Sequence, residues 1–316
     1  MSSRWAGIRS VTTIIHGVDV HHLDVDAAPV VPPGAPVHVL VSAMAGSATN
    51  WLDLIPPLSR LGRVVVPDLP GTVAGHTGSP ARRGPSVATN ARFVRAFIRA
   101  LDLDGVVLHG WSMGGLVSVI AADLAHDRVV GLVLTAPALP WRRTSAVEAL
   151  GWATIGRLAV LAGTPVVRGI LRMAARPLLD MKLAAFSDSR AIGGRVDALG
   201  GDPGRLSSDL WAVWREDLRR ARAHPERLPG TATAFASAFW AMFIDQRPTV
   251  EVLDRLDVPT LMLWGSEDPL VDRATLEGHA RRRRWETRAF DGVGHLLPVE
   301  VPDAYVPAVA AWLDRA

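Results

Sequence analysis

Apolar residues along the chain follow two alternating patterns, one typical of buried strands and one typical of helices. Residues 8–15 and 18–25 alternate apolar and polar side chains around His16-Gly17, which predicts an antiparallel hairpin. A helical period covers Ser86–Leu101. Short apolar runs typical of buried strands occupy residues 37–41, 63–66, 106–108, 129–134, 259–264 and 285–290. This alternation predicts an α/β fold, in which a mostly parallel sheet is flanked by helices.

The strand pattern is interrupted over residues 138–245, where glycines and prolines separate apolar segments of helical length. The predicted elements there are helices over Ala146–Leu161, Pro165–Ala174 and Leu206–Ala223, and a glycine-rich loop over Ile192–Pro203. We therefore predict a helical cap at residues 138–245, inserted between two parts of the α/β core, residues 1–137 and 246–316.

The predicted cap is rich in large apolar side chains, most of which we expect to pack against one another. A few of them, among them Trp141 and Trp240, are expected to line a pocket between the cap and the sheet that takes a hydrophobic small molecule. The segment Ala146–Leu161 is apolar with few charges. Burial of this segment against the sheet is favoured over a position at a membrane surface.

Composition restricts the chemistry and the partners. The 316 residues include no cysteine, which excludes disulfides, thiol catalysis and cysteine–zinc sites. The net charge is +3 and most arginines are interleaved with acidic and apolar residues, so nucleic acid is not an expected partner, and Arg281–Arg284 is interpreted as a solvated helix end. The first residues lack the apolar stretch of a signal peptide, and no uninterrupted apolar run has transmembrane length. A cytoplasmic protein without stable membrane insertion is expected, and nothing in the sequence predicts its oligomeric state.

A turn between the apolar run 106–108 and a second apolar stretch from Leu116 carries the strongest chemical signal. Residues Gly110-Trp111-Ser112-Met113-Gly114 fit the G-x-S-x-G nucleophile elbow. A strand that turns directly into a helix brings its backbone close to itself, so small residues are needed on both sides of the turn. The serine at the tip is then strained and exposed, and the helix that follows directs its free N–H groups to the same point. Ser112 is therefore a candidate nucleophile.

Serine requires a base within hydrogen-bonding reach and a group that orients this base. The loop after residues 259–264 carries Glu267, Asp268 and Asp272, and the loop after residues 285–290 carries His295. Because the carboxyl ends of parallel strands meet at one edge of a sheet, these side chains are expected close to Ser112.

Together these motifs resemble the α/β-hydrolase fold superfamily, in particular its serine-nucleophile members with a helical cap, such as esterases and carbon–carbon bond hydrolases. The resemblance covers nearly the whole chain outside the predicted cap. It rests on four motifs: the elbow at 110–115, the loop with Asp68, Gly71 and Ser79, the loop Gly265–Asp268, and Gly294-His295 followed by Glu300 and Pro302.

The resemblance implies a role for each member of the constellation. Ser112 would be the nucleophile, His295 the general base and then the general acid, and Asp268 the carboxylate that orients His295. Glu267 and Asp272 are alternatives to Asp268, but the family spacing from Gly265 selects Asp268.

The resemblance further implies an oxyanion hole made of two backbone N–H groups, those of Met113 and Met44. In the family the second donor follows a His-Gly pair, whereas here it follows Ser42-Ala43. If this position requires a positive φ, Ala43 would be strained. The side chains of Ser42 and Trp111 are expected to line the substrate pocket.

The favoured function is a serine hydrolase that cleaves an ester, lactone or related acyl bond through an acyl-enzyme. Hydrolysis of a carbon–carbon bond, and non-hydrolytic roles as an acyltransferase, cyclase or ligand-binding protein, are the alternatives, since the fold alone does not fix the reaction. Family members with a carboxylate nucleophile are disfavoured by Ser112. No cofactor or metal is expected: the adjacent His21 and His22 point to opposite faces of a strand, and His76 is expected at the surface.

Overall fold

A single eight-stranded sheet forms the core, in the spatial order β1-β2-β4-β3-β5-β6-β7-β8. The computed structural model describes residues 5–78, 85–192, 200 and 202–315, so Ser79 and most of the predicted loop Ile192–Pro203 lie outside the described residues. The strands are β1 Arg9–Ile15, β2 Val18–Val25, β3 Val37–Val41, β4 Val64–Pro67, β5 Val106–Trp111, β6 Val129–Thr135, β7 Thr260–Gly265 and β8 Glu286–Phe290. Strand β2 pairs antiparallel with β1 and β4, and the remaining pairs are parallel.

Twelve α-helices lie within the described residues, joined by shorter helical turns. They are α1 Ile55–Leu58, α2 Val87–Ala100, α3 Met113–Leu124, α4 Ala146–Gly151, α5 Arg157–Met173, α6 Ala175–Ile192, α7 Ser208–Ala223, α8 Leu228–Phe239, α9 Arg247–Arg255, α10 Arg273–Arg283, α11 Leu297–Glu300 and α12 Pro302–Leu313. The π-helical turn Trp152–Gly156 joins α4 to α5. A second π-helical turn, Trp240–Ile244, directly follows α8.

The apolar runs are strands because both faces of the sheet are covered. Side chains of β3 and β5 pack on one face with Val94 of α2 and Leu116 of α3. Other side chains of the same strands pack on the opposite face with Ile55 of α1 and Tyr305 of α12. Strands buried on both faces need apolar residues at consecutive positions rather than alternating ones. The predicted α/β architecture, a mostly parallel sheet flanked by helices, is confirmed.

Between β6 and β7 the described residues form helices and no strand, as the sequence pattern predicts for this part of the chain. We call residues 146–244 the helical segment. The assignment of residues 138–245 as an inserted cap stays a prediction. The helical segment is tied to the core near β3, where Asp217 of α7 accepts hydrogen bonds from Ser47 Oγ at 3.0 Å and Thr49 Oγ1 at 2.5 Å.

The first helices of this segment differ from the expectation. Helix α4, the π-helical turn and α5 form one continuous helix over Ala146–Met173, although glycines and a proline lie within it. Its 28 residues make it long and apolar enough to cross a membrane by length and composition. Burial of Ala146–Leu161 against the sheet is wrong, because many apolar side chains of this helix face solvent, Val147 at 81 % and Leu158 at 68 % exposure.

Candidate active site

Ser112 lies between β5 and α3 in a strained backbone conformation, with φ 56° and ψ −120°. Close packing explains why glycines flank it. A Cβ on Gly110 would lie 2.5 Å from the Gly114 carbonyl oxygen, and a Cβ on Gly114 would lie 2.3 Å from the Val41 carbonyl oxygen. The second contact shows that the start of α3 lies against the end of β3. The backbone therefore holds Ser112, partly exposed, beside the loop that follows β3.

The structure brings together the predicted acid and base. His295 Nδ1 lies 2.7 Å from Asp268 Oδ2, and both side chains are buried. The second oxygen, Asp268 Oδ1, accepts a hydrogen bond of 2.8 Å from the backbone N–H of Leu270. Both carboxylate oxygens are therefore engaged. This arrangement orients the imidazole and leaves Nε2 as the ring atom that can exchange a proton with a substrate or with Ser112.

The two alternative acids lie elsewhere in the same loop. Asp272 is the N-cap of α10, and its Oδ2 accepts hydrogen bonds from the Thr275 N–H at 2.8 Å and Thr275 Oγ1 at 2.6 Å. The side chain of Glu267 is exposed, and its backbone N–H donates to the carbonyl oxygen of Val293 at 2.9 Å. Asp268 is the carboxylate of the three that contacts the His295 ring in this part of the described chain.

Trp111, the residue before Ser112, links the strand–helix turn to the loop that carries His295. Its indole N–H donates to the backbone carbonyl oxygen of His295 at 2.9 Å, and the side chain is 2 % exposed. The expectation that Trp111 lines the substrate pocket is therefore wrong. Between the described side chains of Ser112 and His295 no hydrogen bond is formed in this structure. Such bonds are often long or misaligned in free enzymes and shorten when substrate binds.

The loop after β3 forms a tight turn at the position predicted for the second oxyanion donor. The N–H of Gly46 donates to the carbonyl oxygen of Ala43 at 3.0 Å, which closes a turn around Met44 and Ala45. The strained residue of this turn is Ala45, with φ 62°. Ala43 would be strained only if its position required a positive φ, and it is not among the described residues with a positive φ. Met44 is partly exposed, and the N–H of Met113 belongs to the first turn of α3, where backbone donors have no partner within the helix.

The expectation that Ser42 lines the substrate pocket is also wrong. Its side chain is 2 % exposed, so it does not line a pocket. Ser42 Oγ accepts a hydrogen bond from the indole N–H of Trp51 at 3.0 Å and donates to the carbonyl oxygen of Ser47 at 2.8 Å. At the position where the family resemblance implies a histidine, Ser42 thus holds the two ends of the loop together. Ser47 also contacts Asp217, whose role in this loop is not visible in the sequence because the two residues lie 170 positions apart.

Asp68 fastens the same loop from the other side. Its Oδ1 accepts a 2.6 Å hydrogen bond from the N–H of Ala48, and its Oδ2 lies 2.7 Å from His21 Nδ1 and 3.2 Å from His76 Nδ1. Burial opposes ionisation of this carboxyl group, but the hydrogen bonds from His21 and His76 hold its pKa well below the usual range. Among the described residues, His21, Asp68 and His76 are the one group whose atoms converge closely enough to hold a metal ion, all within 4.8 Å. Each imidazole uses its Nδ1 on the carboxylate, as in a structural network.

An apolar cavity of about 480 Å³ opens from Met44 into the helical segment. Its walls come from the π-helical turn Trp152–Gly156 and from the inner faces of α5 and α8, and they include Trp152, Val160 and Phe239. Trp240 lines a neighbouring groove between the same two helices, and the guanidinium of Arg157 lies 5.6 Å from its ring centroid. The rings of Trp141 and Phe243 are tilted by 36° to each other with centroids 5.3 Å apart, and Trp141 is not among the residues that line either of these two pockets. Of the four predicted pocket side chains, Trp240 is the one that lines either of these two pockets, and its groove lies between α5 and α8 rather than between the helical segment and the sheet.

The turn predicts opposite effects of glycine at two nearby positions. Ala45→Gly removes a left-handed strain of about 1 kcal/mol, which offsets the extra chain entropy of glycine, so the free energy of unfolding should stay within about 0.5 kcal/mol or rise. Ala43→Gly relieves no such strain, so this variant should lower the free energy of unfolding by about 0.5–1 kcal/mol. Urea unfolding of both variants measures the difference. A larger loss in the Ala45 variant than in the Ala43 variant would contradict the turn described here.

Comparisons with known proteins agree with this architecture. A family model described as the alpha/beta hydrolase fold matches residues 36–302. The dihydrolipoyllysine-residue acetyltransferase component of the acetoin cleaving system of Pseudomonas putida is 27% identical over 284 residues, which cover 89% of this chain and 64% of that protein. The pimeloyl-(acyl-carrier protein) methyl ester esterase of Neisseria meningitidis serogroup A is 27% identical over 226 residues, 69% of this chain and 57% of that protein. The chain thus spans less than two thirds of the length of these relatives.

Solved structures show the same fold across nearly the whole chain. A bacterial membrane phospholipase A superposes with a TM-score of 0.70 and 22% sequence identity, over 98% of this chain and 87% of that one. The family match covers the sheet from β3 onward, the elbow and the loops that carry Asp268 and His295. The chain therefore belongs to the alpha/beta hydrolase fold family.

Proposed function

We propose that this protein is a serine hydrolase that cleaves an ester or a related acyl bond of a hydrophobic small molecule. The observation that carries the proposal is the buried pair of Asp268 and His295, joined at 2.7 Å, in the same molecule as a serine held at φ 56° on a strand–helix turn. A strained, partly exposed serine and an oriented imidazole are the parts that acyl transfer requires.

The reaction follows from the atoms of these residues. His295 Nε2 accepts the proton of Ser112 Oγ as this oxygen attacks the carbonyl carbon of the substrate. The N–H groups of Met113 and Met44 stabilise the resulting oxyanion. The protonated His295 gives its proton to the departing alcohol, which leaves an acyl group on Ser112. A water molecule that His295 deprotonates then attacks the acyl carbon. The protonated His295 gives this proton to Ser112 Oγ as the bond between Oγ and the acyl carbon breaks, which releases the carboxylic acid and restores free Ser112 and neutral His295.

Asp268 has two functions in this scheme. Its hydrogen bond holds the His295 proton on Nδ1, so that Nε2 is unprotonated and can act as a base. Its negative charge also stabilises the imidazolium formed during each half-reaction. Trp111 supports the same geometry, because its hydrogen bond to the His295 carbonyl oxygen links the base to the residue adjacent to the nucleophile.

The cavity supports a hydrophobic acyl group as the substrate class. Its walls are mainly aliphatic and aromatic side chains of α5 and α8, and Met44 lies at its core-facing end. A volume of about 480 Å³ suits a medium-sized ligand. Acyl transfer to an acceptor other than water is the second candidate, because it uses the same acyl-enzyme and one relative is named as an acetyltransferase component.

A fluorophosphonate probe tests the proposal directly. We expect the wild-type protein to be labelled once, at Ser112, and to hydrolyse 4-nitrophenyl esters with a higher kcat/KM for hexanoate or octanoate than for acetate. The matched control is Ser118→Ala, which removes a buried hydroxyl from α3, the helix that follows Ser112, and should leave labelling unchanged. Labelling that persists in Ser112→Ala would refute the assignment of the nucleophile. Labelling without ester hydrolysis, together with acyl transfer to an added alcohol, would favour the second candidate.

A further inference from the structure

The outer face of the continuous helix Ala146–Met173 is an apolar surface that the described residues leave uncovered. At about 1.5 Å per residue the helix is roughly 42 Å long. Its exposed large apolar side chains on the side away from the cavity are Val147, Leu150, Ile155, Leu158, Leu161, Val166, Ile170 and Met173. Soluble proteins rarely expose a continuous apolar surface of this length without a partner that covers it. We call this surface the outer apolar face.

The charges on this helix are almost all of one sign. Arg157, Arg168 and Arg172 are exposed, and at about 100° per residue they fall along one edge of the outer apolar face. The one acidic residue within Ala146–Met173 is Glu148, which accepts hydrogen bonds from the Thr144 N–H at 2.9 Å and Thr144 Oγ1 at 2.7 Å. An apolar stripe bordered by arginines is complementary to a surface that is apolar inside and negatively charged outside.

The inner face of the same helix determines how it can meet such a surface. Val160, Val167 and Leu171 point towards α8 and line the cavity that begins at Met44. A helix that crossed a bilayer would have to separate from α8 and bury its arginines in hydrocarbon, which is costly. The helix is therefore suited to lie along an interface, with one face on the lipid and the other on the protein.

A second copy of the chain fits this face poorly. A two-fold interface places each patch against the same patch of its partner, so the patch itself would have to supply the counter-charges for its own arginines. The helix offers no free carboxylate to pair with them. Negatively charged lipid headgroups supply these counter-charges, and acyl chains cover the apolar side chains.

We propose that the protein docks reversibly on anionic lipid bilayers through the outer apolar face of Ala146–Met173. Helices of this kind bury their apolar face at the boundary between headgroups and acyl chains, and arginines add electrostatic attraction to anionic lipids. Docking would place the cavity, whose wall is the inner face of the same helix, next to the lipid surface. The proposal concerns binding and does not depend on the chemistry of Ser112.

Vesicle flotation tests the proposal with the full chain. We expect the wild-type protein to float with vesicles of phosphatidylcholine and phosphatidylglycerol at 3:1, to bind phosphatidylcholine alone at least ~10-fold more weakly, and to lose most binding in 0.5 M NaCl. Leu158→Glu/Val166→Glu replaces two exposed side chains that line neither the cavity at Met44 nor the neighbouring groove, and it should weaken binding by ~100-fold or more. Arg168→Gln/Arg172→Gln should weaken it by ~10-fold to ~30-fold.

Matched controls separate docking from general effects of charge and polarity. Val30→Glu/Val130→Glu changes two exposed apolar residues outside the helical segment, and Arg92→Gln/Arg95→Gln removes two exposed arginines of α2. Both should bind vesicles like the wild type. The proposal is overturned if the wild type binds neither vesicle, if the controls lose as much binding as the helix variants, or if sedimentation shows a dimer that Leu158→Glu/Val166→Glu dissociates without any lipid binding. Unchanged melting temperatures establish that each variant is folded.

Discussion

Ser112→Ala is expected to lower the turnover of an activated ester by on the order of 10⁴-fold or more, with the protein still folded. The Ser112 side chain makes no hydrogen bond to the rest of the described protein, so its removal leaves no buried partner unsatisfied. The stability of the fold should therefore change by less than about 1 kcal/mol. Steady-state kinetics on 4-nitrophenyl hexanoate and a thermal melt measure the two quantities.

A second expected result concerns the turnover of the double variant Ser112→Ala/His295→Ala. If the serine attacks only when the imidazole takes its proton, loss of either residue removes the same step. The double variant should then be within about tenfold of either single variant, rather than slower by the product of the two losses. Multiplicative losses would mean that Ser112 and His295 act in separate steps. His76→Ala is the matched control, because His76 also contacts a buried aspartate but lies outside the proposed constellation.

The sequence predicted those parts of the site that local backbone geometry determines. A strand that enters a helix through Gly110 and Gly114 permits one arrangement, since a Cβ at either position would collide with neighbouring backbone. The loops with Asp268 and His295 follow β7 and β8, which are parallel neighbours in the sheet, so their ends meet. Each of these predictions depends only on the residues within a few positions of the motif and on the order of the strands, both of which can be inferred from the sequence.

Features that depend on contacts between distant residues were not predictable. The pattern does not show which residue of a four-residue turn takes a positive φ, and the strain lies at Ala45 rather than Ala43. Trp111 and Ser42 lie beside the site, and both side chains can form hydrogen bonds. Each of them is hydrogen-bonded to a buried partner within the protein, and neither lines the pocket. The apolar composition of Ala146–Met173 is equally consistent with burial and with exposure. A hydrophobic pattern shows that a helix face is apolar, but it does not show whether another part of the protein covers that face.

The second large effect on activity is expected from a substitution of Asp268, the carboxylate that orients His295. Asp268→Asn should lower kcat by on the order of 10⁴-fold, with little change in stability. The reason is the direction of one hydrogen bond. The Leu270 N–H donates to Oδ1 at 2.8 Å, so an amide at this position keeps its oxygen there and turns its NH₂ group towards His295 Nδ1. The imidazole must then accept at Nδ1 and carry its proton on Nε2, where it cannot receive the proton of Ser112.

Two neighbouring carboxylates serve as matched controls for this substitution. Asp272→Asn changes the same side chain four positions later, and asparagine is as good an N-cap as aspartate, so α10 and the activity should both be retained. Glu267→Gln removes an exposed charge one position earlier and should change kcat by less than about threefold. A loss of activity in Glu267→Gln or Asp272→Asn that exceeds the loss in Asp268→Asn would assign the orienting role to that carboxylate. Equal and small losses in all three would mean that His295 acts without a carboxylate partner, because the 2.7 Å contact with Asp268 would then contribute nothing to the rate.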